Sequence, residues 1–319
     1  MTDLRPLGTS DLLVSAVGLG CNNFGRPGTV TATLEGTKAV LDAAIEHGVT
    51  FLDTAALYGS PAGTSESLMG EALRGRRDEV VLATKFGNVD GAPAGAEAWG
   101  ARGSASYIDQ AIEGSLQRLQ TDHIDLFQLH NPDADTPIGE TLEALARHID
   151  AGKVRFIGHS NFSPEQLREA DDVAGELGVP RFVSAQNQYS LLARDVEVEL
   201  LPAARERGLG FLPFFPLHNG LLTGKYTATS GEGRLTRSRP QVLENTDWDQ
   251  LDGYRRICDE AGVTMLQATF AWLLAQDPVS SVIAGATSPE QVAANAEAGR
   301  TRLDQDVLDA ISVLFTSGD

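Results

Sequence analysis

The chain has 319 residues, 42% of them hydrophobic and 22% charged, enough apolar material for a full core in either two modest domains or one large α/β barrel. Its 25 Lys and Arg against 44 Asp and Glu leave a formal charge of −19, which removes the basic footprint needed to track a phosphate backbone and argues against a nucleic-acid partner. The polar N-terminus and the lack of a run of about 18 apolar residues lead to the expectation of a cytoplasmic protein with no membrane partner, and Cys21 and Cys258 form neither a disulfide scaffold nor a CxxC site.

In chain order, the pattern predicts an N-terminal hairpin with strands near 5–7 and 12–14 joined at Gly8-Thr9-Ser10-Asp11. Further strands are predicted at 17–20, 50–53, 80–84, 124–129, 155–158, 182–187, 209–213 and 281–283. Between them lie helical patterns at 34–47, 66–74, 107–119, 138–149, 164–176, 196–207, 264–275 and 289–297. Leu34, Val40, Leu41, Ala44 and Ile45 stripe the first helix, and Gly48 stops it. Ser163-Pro164-Glu165-Gln166 and Ser288-Pro289-Glu290-Gln291 each place a cap residue before a proline at the first helical position, with Gln three after the cap.

Alternating strands and helices, with no sign of a half-way change in strand order, favour an α/β fold of the (β/α)8 TIM-barrel type over a doubly wound sheet, in one domain spanning 1–319. Two polar stretches, 86–106 and 227–250, read as long loops at the C-terminal mouth, where loops of this length usually bind something. Trp99 in the first reads equally as a substrate wall or as local packing.

GLGCNNFG at 18–25 lacks GxGxxG in its strand, turn and helix setting, and reads as a β-to-α corner that turns Asn22, Asn23 and Phe24 toward the pocket. No Walker A lysine motif, HExxH, calcium loop or compact Cys/His set is present, so no metal is expected. The candidate reacting groups close three strands: Asp53 ends FLD, Lys85 ends VVLATK and His130 ends IDLFQLH, with Tyr58 on the loop after Asp53. A Lys85–Asp53 pair and a His130 bonded to a backbone carbonyl would be structural only. Complementary ionisable groups at three strand ends, with a tyrosine beside them, favour an active site.

A phenol near pKa 10 is a poor proton donor unless a cation stabilises its phenolate, which Lys85 can do while Asp53 balances it. His130 can donate a ring hydrogen to a carbonyl oxygen. None of these groups supplies a hydride, so a redox cofactor is required.

The segments FLDTAALYG (51–59), GTSESLMG (63–70), VVLATKFG (80–87), SLQRLQTDHIDLFQLH (115–130), IGHSNF (157–162), AQNQYSLL (185–192), GLLTGKY (220–226) and GATSPEQVAAN (285–295) resemble the successive motifs of the aldo-keto reductase family over nearly the whole chain. The resemblance implies a TIM barrel with a base-closing hairpin and NAD(P)H across its mouth. It also implies a tetrad of Asp53, Tyr58, Lys85 and His130, with Tyr58 as general acid. Ser160, Asn161 and Gln186 then match the contacts to the nicotinamide carboxamide, and Phe214 the aromatic under its ring. Gly220, Leu221, Thr223 and Lys225 match the pyrophosphate side, and Gly285, Thr287, Ser288, Gln291 and Asn295 the adenosine end.

The sequence departs from the family where Phe215 replaces a common serine and where His159 precedes Ser160, close enough in the inferred barrel to alter pocket polarity. Gly285, Thr287 and Gln291 stand where NADPH-preferring relatives commonly carry Lys or Arg. Arg234, Arg237 or Arg239 could supply the missing cation. NADPH therefore keeps a slight edge over NADH. A small-molecule carbonyl is the expected substrate, and oligomeric state is left open. The competing readings are a cofactor-binding regulatory protein resembling potassium-channel β subunits, with slow or vestigial reduction, and a barrel lyase or isomerase using Lys85 as a Schiff base.

Overall fold

The computed structural model describes residues 4–231, 235, 236 and 239–316. The described residues form ten strands: β1 (Leu4–Pro6), β2 (Leu13–Ser15), β3 (Val17–Gly20), β4 (Phe51–Asp53), β5 (Val81–Phe86), β6 (Ile124–Leu129), β7 (Val154–Ser160), β8 (Ser184–Gln186), β9 (Gly210–Phe211) and β10 (Val282–Gly285). The first two pair antiparallel, Arg5 opposite Val14, and the other eight form one parallel sheet in the order β10-β3-β4-β5-β6-β7-β8-β9.

The sheet curls until its edges meet. Phe211 N donates to Pro278 O at 3.0 Å, Ser280 N to Phe211 O at 3.0 Å and Ile283 N to Pro213 O at 3.2 Å, so the edge strands β9 and β10 are joined. This is the (β/α)8 barrel that the alternating pattern predicts. Because the strands are parallel, their C-terminal ends share one mouth.

The hairpin caps the opposite end. Leu7, Leu12 and Val14 bury themselves with Phe51, Ala83, Leu126, Leu212 and Ile283 in a small apolar cluster at the base. The turn after β1 works only with glycine: at Gly8, φ is +61° and an added Cβ would lie 2.3 Å from Gly208 O.

The helices are α1 (Leu34–Glu46), α2 (Thr64–Ala72), α3 (Ala105–Leu119), α4 (Ile138–Asp150), α5 (Pro164–Leu177), α6 (Leu200–Glu206), α7 (Pro240–Glu244), α8 (Trp248–Glu260), α9 (Met265–Leu274), α10 (Pro289–Ala298) and α11 (Gln305–Leu314). Gly48, at φ +76°, ends α1 as expected. Ser163 and Gln166 form a reciprocal capping box at α5. At α10 only half of that box forms: Ser288 Oγ accepts from Gln291 N at 3.4 Å, while Gln291 Oε1 instead accepts from Thr287 N at 2.8 Å.

The predicted 227–250 loop is partly helical, containing α7 and the start of α8, and both α8 and α11 are absent from the sequence reading. In α8 Leu251, Tyr254 and Cys258 are buried with Trp248 and Ile257 half-buried beside them, and in α11 Val307, Leu308 and Leu314 are half-buried around the buried Ile311, so each helix docks on the core through a partly exposed apolar face. Polar contacts dock α11: Trp272 Nε1 donates to Ser312 Oγ at 2.8 Å and Gln250 Nε2 to Leu314 O at 2.9 Å. Asp247, whose carboxylate accepts from Gln250 N at 2.9 Å, is the local cap that marks the start of α8.

Phe24, expected at the pocket, and His159, expected near enough to affect its polarity, both face other surroundings. Phe24 is fully buried in the main core. His159 faces the helix layer, because alternation along β7 turns Gly158 toward Gln128 and Ser160 toward Gln186 inside the barrel. Its ring stacks on Phe162 at 4.3 Å and meets Phe182 edge-on at 5.3 Å. Both ring nitrogens are buried without a hydrogen-bond partner, and burial holds the imidazole down at about 3.

The folded state therefore leaves His159 neutral between pH 6.5 and about 3, where the unfolded chain takes up a proton. Its contribution to stability is complete above 6.5 and lost progressively on acidification toward 3, at about 1.4 kcal/mol per pH unit. Thermal melts at pH 7 and pH 5 should show a smaller acid-induced drop for His159→Leu than for the wild type. Parallel pH dependence in the two proteins would contradict this assignment.

Candidate active site

The mouth of the barrel gathers the ends of β4, β5, β6, β7 and β8. Asp53, Lys85, Gln128, Ser160 and Gln186 are all at least 97% buried. Lys85 Nζ donates to Asp53 Oδ2 at 2.5 Å and to Thr54 O at 3.0 Å. Removing two charges from water is costly unless they are paired and further hydrogen-bonded, and both conditions hold here. Asp53 Oδ1 accepts from Gln128 Nε2 at 3.1 Å and from Gln186 Nε2 at 3.2 Å.

Tyr58 overlies this pair on the loop after β4. Backbone bonds from Tyr58 N to Ala55 O at 2.9 Å and from Ser65 N to Tyr58 O at 3.1 Å hold the loop. Lys85 Nζ lies 5.4 Å from the Tyr58 ring centroid, and the His130 ring meets it edge-on at 6.1 Å. The four residues from three strand ends and one loop thus share a single site.

Burial lowers the Lys85 ammonium's pKa on its own, but attraction to Asp53 and Tyr58 and the hydrogen bond to Asp53 outweigh it, and the group stands above its ordinary value. Burial raises Tyr58 above its ordinary 10, with Lys85 offsetting only part of the rise. The expected net lowering of the phenol by Lys85 is thus reversed by desolvation, and Tyr58 is held as a protonated phenol at neutral pH. Burial, assisted by the Lys85 charge, takes His130 down to about 3, so its imidazole is neutral. Its Nδ1 is buried without a hydrogen-bond partner, so that nitrogen is not bonded to a backbone carbonyl; its backbone O accepts from Asn161 Nδ2 at 2.9 Å.

Ser160 Oγ donates to Gln186 O at 2.7 Å, and Asn161 Nδ2 also reaches Ser160 Oγ at 3.2 Å. Asn161 is in the left-handed region at φ +60°. Ser160, Asn161 and Gln186 are thus joined at the ends of β7 and β8, next to the Asp53–Lys85 pair.

Phe214 and Phe215 follow β9, their rings edge to face at 5.3 Å. The segment after them is sharply turned: Phe215, His218, Asn219 and Gly220 have φ of +52°, +44°, +60° and +93°. Such conformations cost free energy in non-glycine residues and concentrate at ligand clamps. His218 Nδ1 and Asn219 Oδ1 are buried without partners. Leu221 is buried in the core, and Thr223 Oγ1 donates to Gly220 O at 2.8 Å. A Cβ at Gly220 would stand 3.0 Å from Lys225 Nζ, so glycine lets that ammonium close on the backbone.

Gly285 ends β10 beside Asn22 and Asn23. Thr287, Ser288 and Gln291 surround the N-terminus of α10, while Asn295 lies further along it and is buried. Arg234 and Arg237 lie outside the described residues. Arg239 is exposed, and its charge reinforces the burial that depresses His218. Trp99 packs edge-on against Tyr107 at 5.3 Å, which is the local-packing role.

Gln128 is the one residue of this cluster absent from the sequence reading. It stands two positions before His130 on β6 and opposite Lys85 in the β5–β6 register. A period-two count back from His130 finds it. Among the described residues no group of three His, Cys, Asp or Glu side chains could hold a metal ion, and no helix is long and apolar enough to cross a membrane.

Residues 16–314 match the family model "Aldo/keto reductase family". The chain is 38% identical over 315 residues to an uncharacterized oxidoreductase, YrpG, of Bacillus subtilis, covering 97% of this chain and 94% of that protein. It is 33% identical over 312 residues to the L-glyceraldehyde 3-phosphate reductase of Escherichia coli K12, with 92% and 86% covered. It is 34% identical over 312 residues to a probable voltage-gated potassium channel subunit beta of Arabidopsis thaliana, with 92% and 90% covered. A barrel closed at its base by a hairpin, a buried lysine–aspartate pair under a tyrosine at its mouth, and similarity over almost the entire length agree: the chain belongs to the aldo/keto reductase family of oxidoreductases.

Proposed function

We propose that this protein reduces an aldehyde or ketone to an alcohol with NAD(P)H, Tyr58 acting as general acid. The observation that carries the reading is the neutral phenol over the buried Lys85–Asp53 pair, with the neutral His130 ring beside it. The residues present fit a dinucleotide. Polar groups converge at Ser160, Asn161 and Gln186 for the carboxamide end and Phe214 offers an aromatic face. The turned segment through Gly220, Leu221, Thr223 and Lys225, with its unpartnered His218 and Asn219 atoms, suits the phosphates. Gly285, Thr287, Ser288, Gln291 and Asn295 would take the adenosine end. Bound there, the reduced nicotinamide supplies the hydride.

The protein's own part is proton delivery and orientation. Tyr58 gives its phenolic proton to the carbonyl oxygen as that oxygen becomes an alkoxide. Lys85, fixed by Asp53 and Thr54 O, steadies the phenolate left behind. The unprotonated His130 ring donates one N–H to the same oxygen and orients the carbonyl. A Schiff-base role for Lys85 is disfavoured, since its amine is held as an ammonium by Asp53 rather than released as a nucleophile.

The adenosine-end positions carry hydroxyl, amide and glycine but no cation, which supports use of both cofactors. Arg239, whose charge reaches His218, favours NADPH slightly. The reductase named among the relatives acts on a phosphorylated aldehyde by its own name, which places such aldehydes in the first substrate panel. Oxidation of NADPH and NADH at 340 nm across aldehydes and ketones tests the reading. Turnover should show no limb near pH 6.5 from His130 and should hold until Tyr58 ionises above pH 10. The 34% identity to a named channel β subunit supports the alternative of a cofactor-binding regulator. Tight dinucleotide binding with no turnover on any carbonyl would favour that alternative.

A further inference from the structure

Gln128 and Gln186 form a locked pair of amides around one carboxylate oxygen. Gln128 is fully buried and Gln186 is 2% exposed. Gln128 Nε2 and Gln186 Nε2 both approach Asp53 Oδ1, at 3.1 and 3.2 Å, and Gln186 Nε2 also approaches Gln128 Oε1 at 3.3 Å. A carboxylate oxygen only accepts, so both amides must turn their NH2 groups toward Asp53, and chemistry settles which end of each is oxygen. Gln128 Oε1 then faces the second N–H of Gln186. Both hydrogens of Gln186 are consumed inside the barrel, and its Oε1 accepts nothing from the described residues.

We infer that Gln128 is a positioning residue that locks Gln186 with its carbonyl oxygen outward, as an acceptor for an N–H of a primary amide on the cofactor. The inference rests on the proposed reading that the nicotinamide lies against Ser160, Asn161 and Gln186. It adds that carboxamide recognition depends on Gln128, which is too deep to touch the cofactor. It also places recognition and proton delivery on one carboxylate: Asp53 Oδ1 orders the amides while Asp53 Oδ2 holds Lys85.

The test compares dissociation constants of NADP+ and its 3-acetylpyridine analogue, in which a methyl ketone removes the amide N–H, by quenching of tryptophan fluorescence. One hydrogen bond predicts that the wild type binds NADP+ about tenfold more tightly than the analogue. Gln128→Met should shrink that preference several-fold by weakening NADP+ while leaving the analogue unchanged. Gln186→Met should do the same, and the double variant should add nothing further.

Gln128→Glu keeps the size of the side chain. Beside Asp53 both carboxyls cannot ionise, so a protonated Glu would donate to Asp53 and accept from Gln186 as the amide does. This variant should keep the NADP+ preference at pH 6 and at alkaline pH alike, because an ionised Glu also accepts from Gln186, which tests the inference even if Gln128→Met does not fold. Equal weakening of both dinucleotides by Gln128→Met, or loss of the preference in Gln128→Glu, would overturn the inference. Wild type that binds neither dinucleotide would instead overturn the cofactor reading and the inference with it.

Discussion

Replacing Tyr58 with Phe should lower kcat for carbonyl reduction by about 10²–10⁴-fold, the usual contribution of a positioned acid or base, and leave the cofactor dissociation constant unchanged. The change removes one hydroxyl from a partly exposed ring and keeps its packing. Lys85 retains Asp53 Oδ2 and Thr54 O as acceptors, so no buried ammonium is stranded by the substitution. A loss of turnover therefore reports the missing proton rather than a collapsed site. Steady-state kinetics with the best substrate of the carbonyl panel, together with cofactor titration, separate the two. Full activity in Tyr58→Phe would remove the phenol from the mechanism.

Replacing Asp53 with Asn should destabilise the fold by about 3–5 kcal/mol, the cost of stranding one charge of a buried pair. Lys85 is only 1% exposed and would lose its counter-ion. The new amide would also set its own NH2 against one of the groups that now donate to Asp53: Lys85 Nζ, Gln128 Nε2 or Gln186 Nε2. Because Lys85 is raised above its ordinary 10.5, the stabilisation from its pairing is complete below pH 10.5 and is lost as pH climbs through the raised value. The urea midpoint of Asp53→Asn should therefore fall steeply at pH 7. A paired Asp53→Leu, Lys85→Met variant should regain part of the lost stability, since no charge then remains buried although Gln128 and Gln186 lose an acceptor, yet stay inactive. A change within about 0.5 kcal/mol for Asp53→Asn would mean that the pair is not a buried ionic one.

Legibility followed how much of each element is decided locally. The strands ending in Asp53, Lys85 and His130 are short apolar runs, visible without any tertiary knowledge. Ser163 and Gln166 announce their helix by a cap whose bonds form within four residues. The helices Trp248–Glu260 and Gln305–Leu314 are hard to see because their core-facing residues are largely half-buried and spaced among charged and polar ones. Phe24 and His159 were misplaced for a different reason. Their residue types suit a pocket, but the turn after β3 and the alternation of β7 aim them into the core and the helix layer.

The candidate site divides in the same way. That a phenol, an ammonium, a carboxylate and an imidazole stand at strand ends follows from residue order alone, because parallel strands in a closed barrel bring their C-terminal ends to one mouth. Which of them carries a proton does not follow, since desolvation depends on everything packed around a group. A sequence places Lys85 next to Tyr58 and predicts a lowered phenol; only the folded interior shows that burial outweighs the lysine and raises it. Gln128 is likewise one more apolar-strand residue until the β5–β6 register sets it opposite Lys85 and within reach of Asp53. The sequence by itself determined the barrel, the family motifs and the four candidate reacting groups, because each is a matter of local pattern and order. The tertiary structure alone decided their protonation, the amide lock behind them and the outward turn of His159, because those depend on distances between residues remote in the chain.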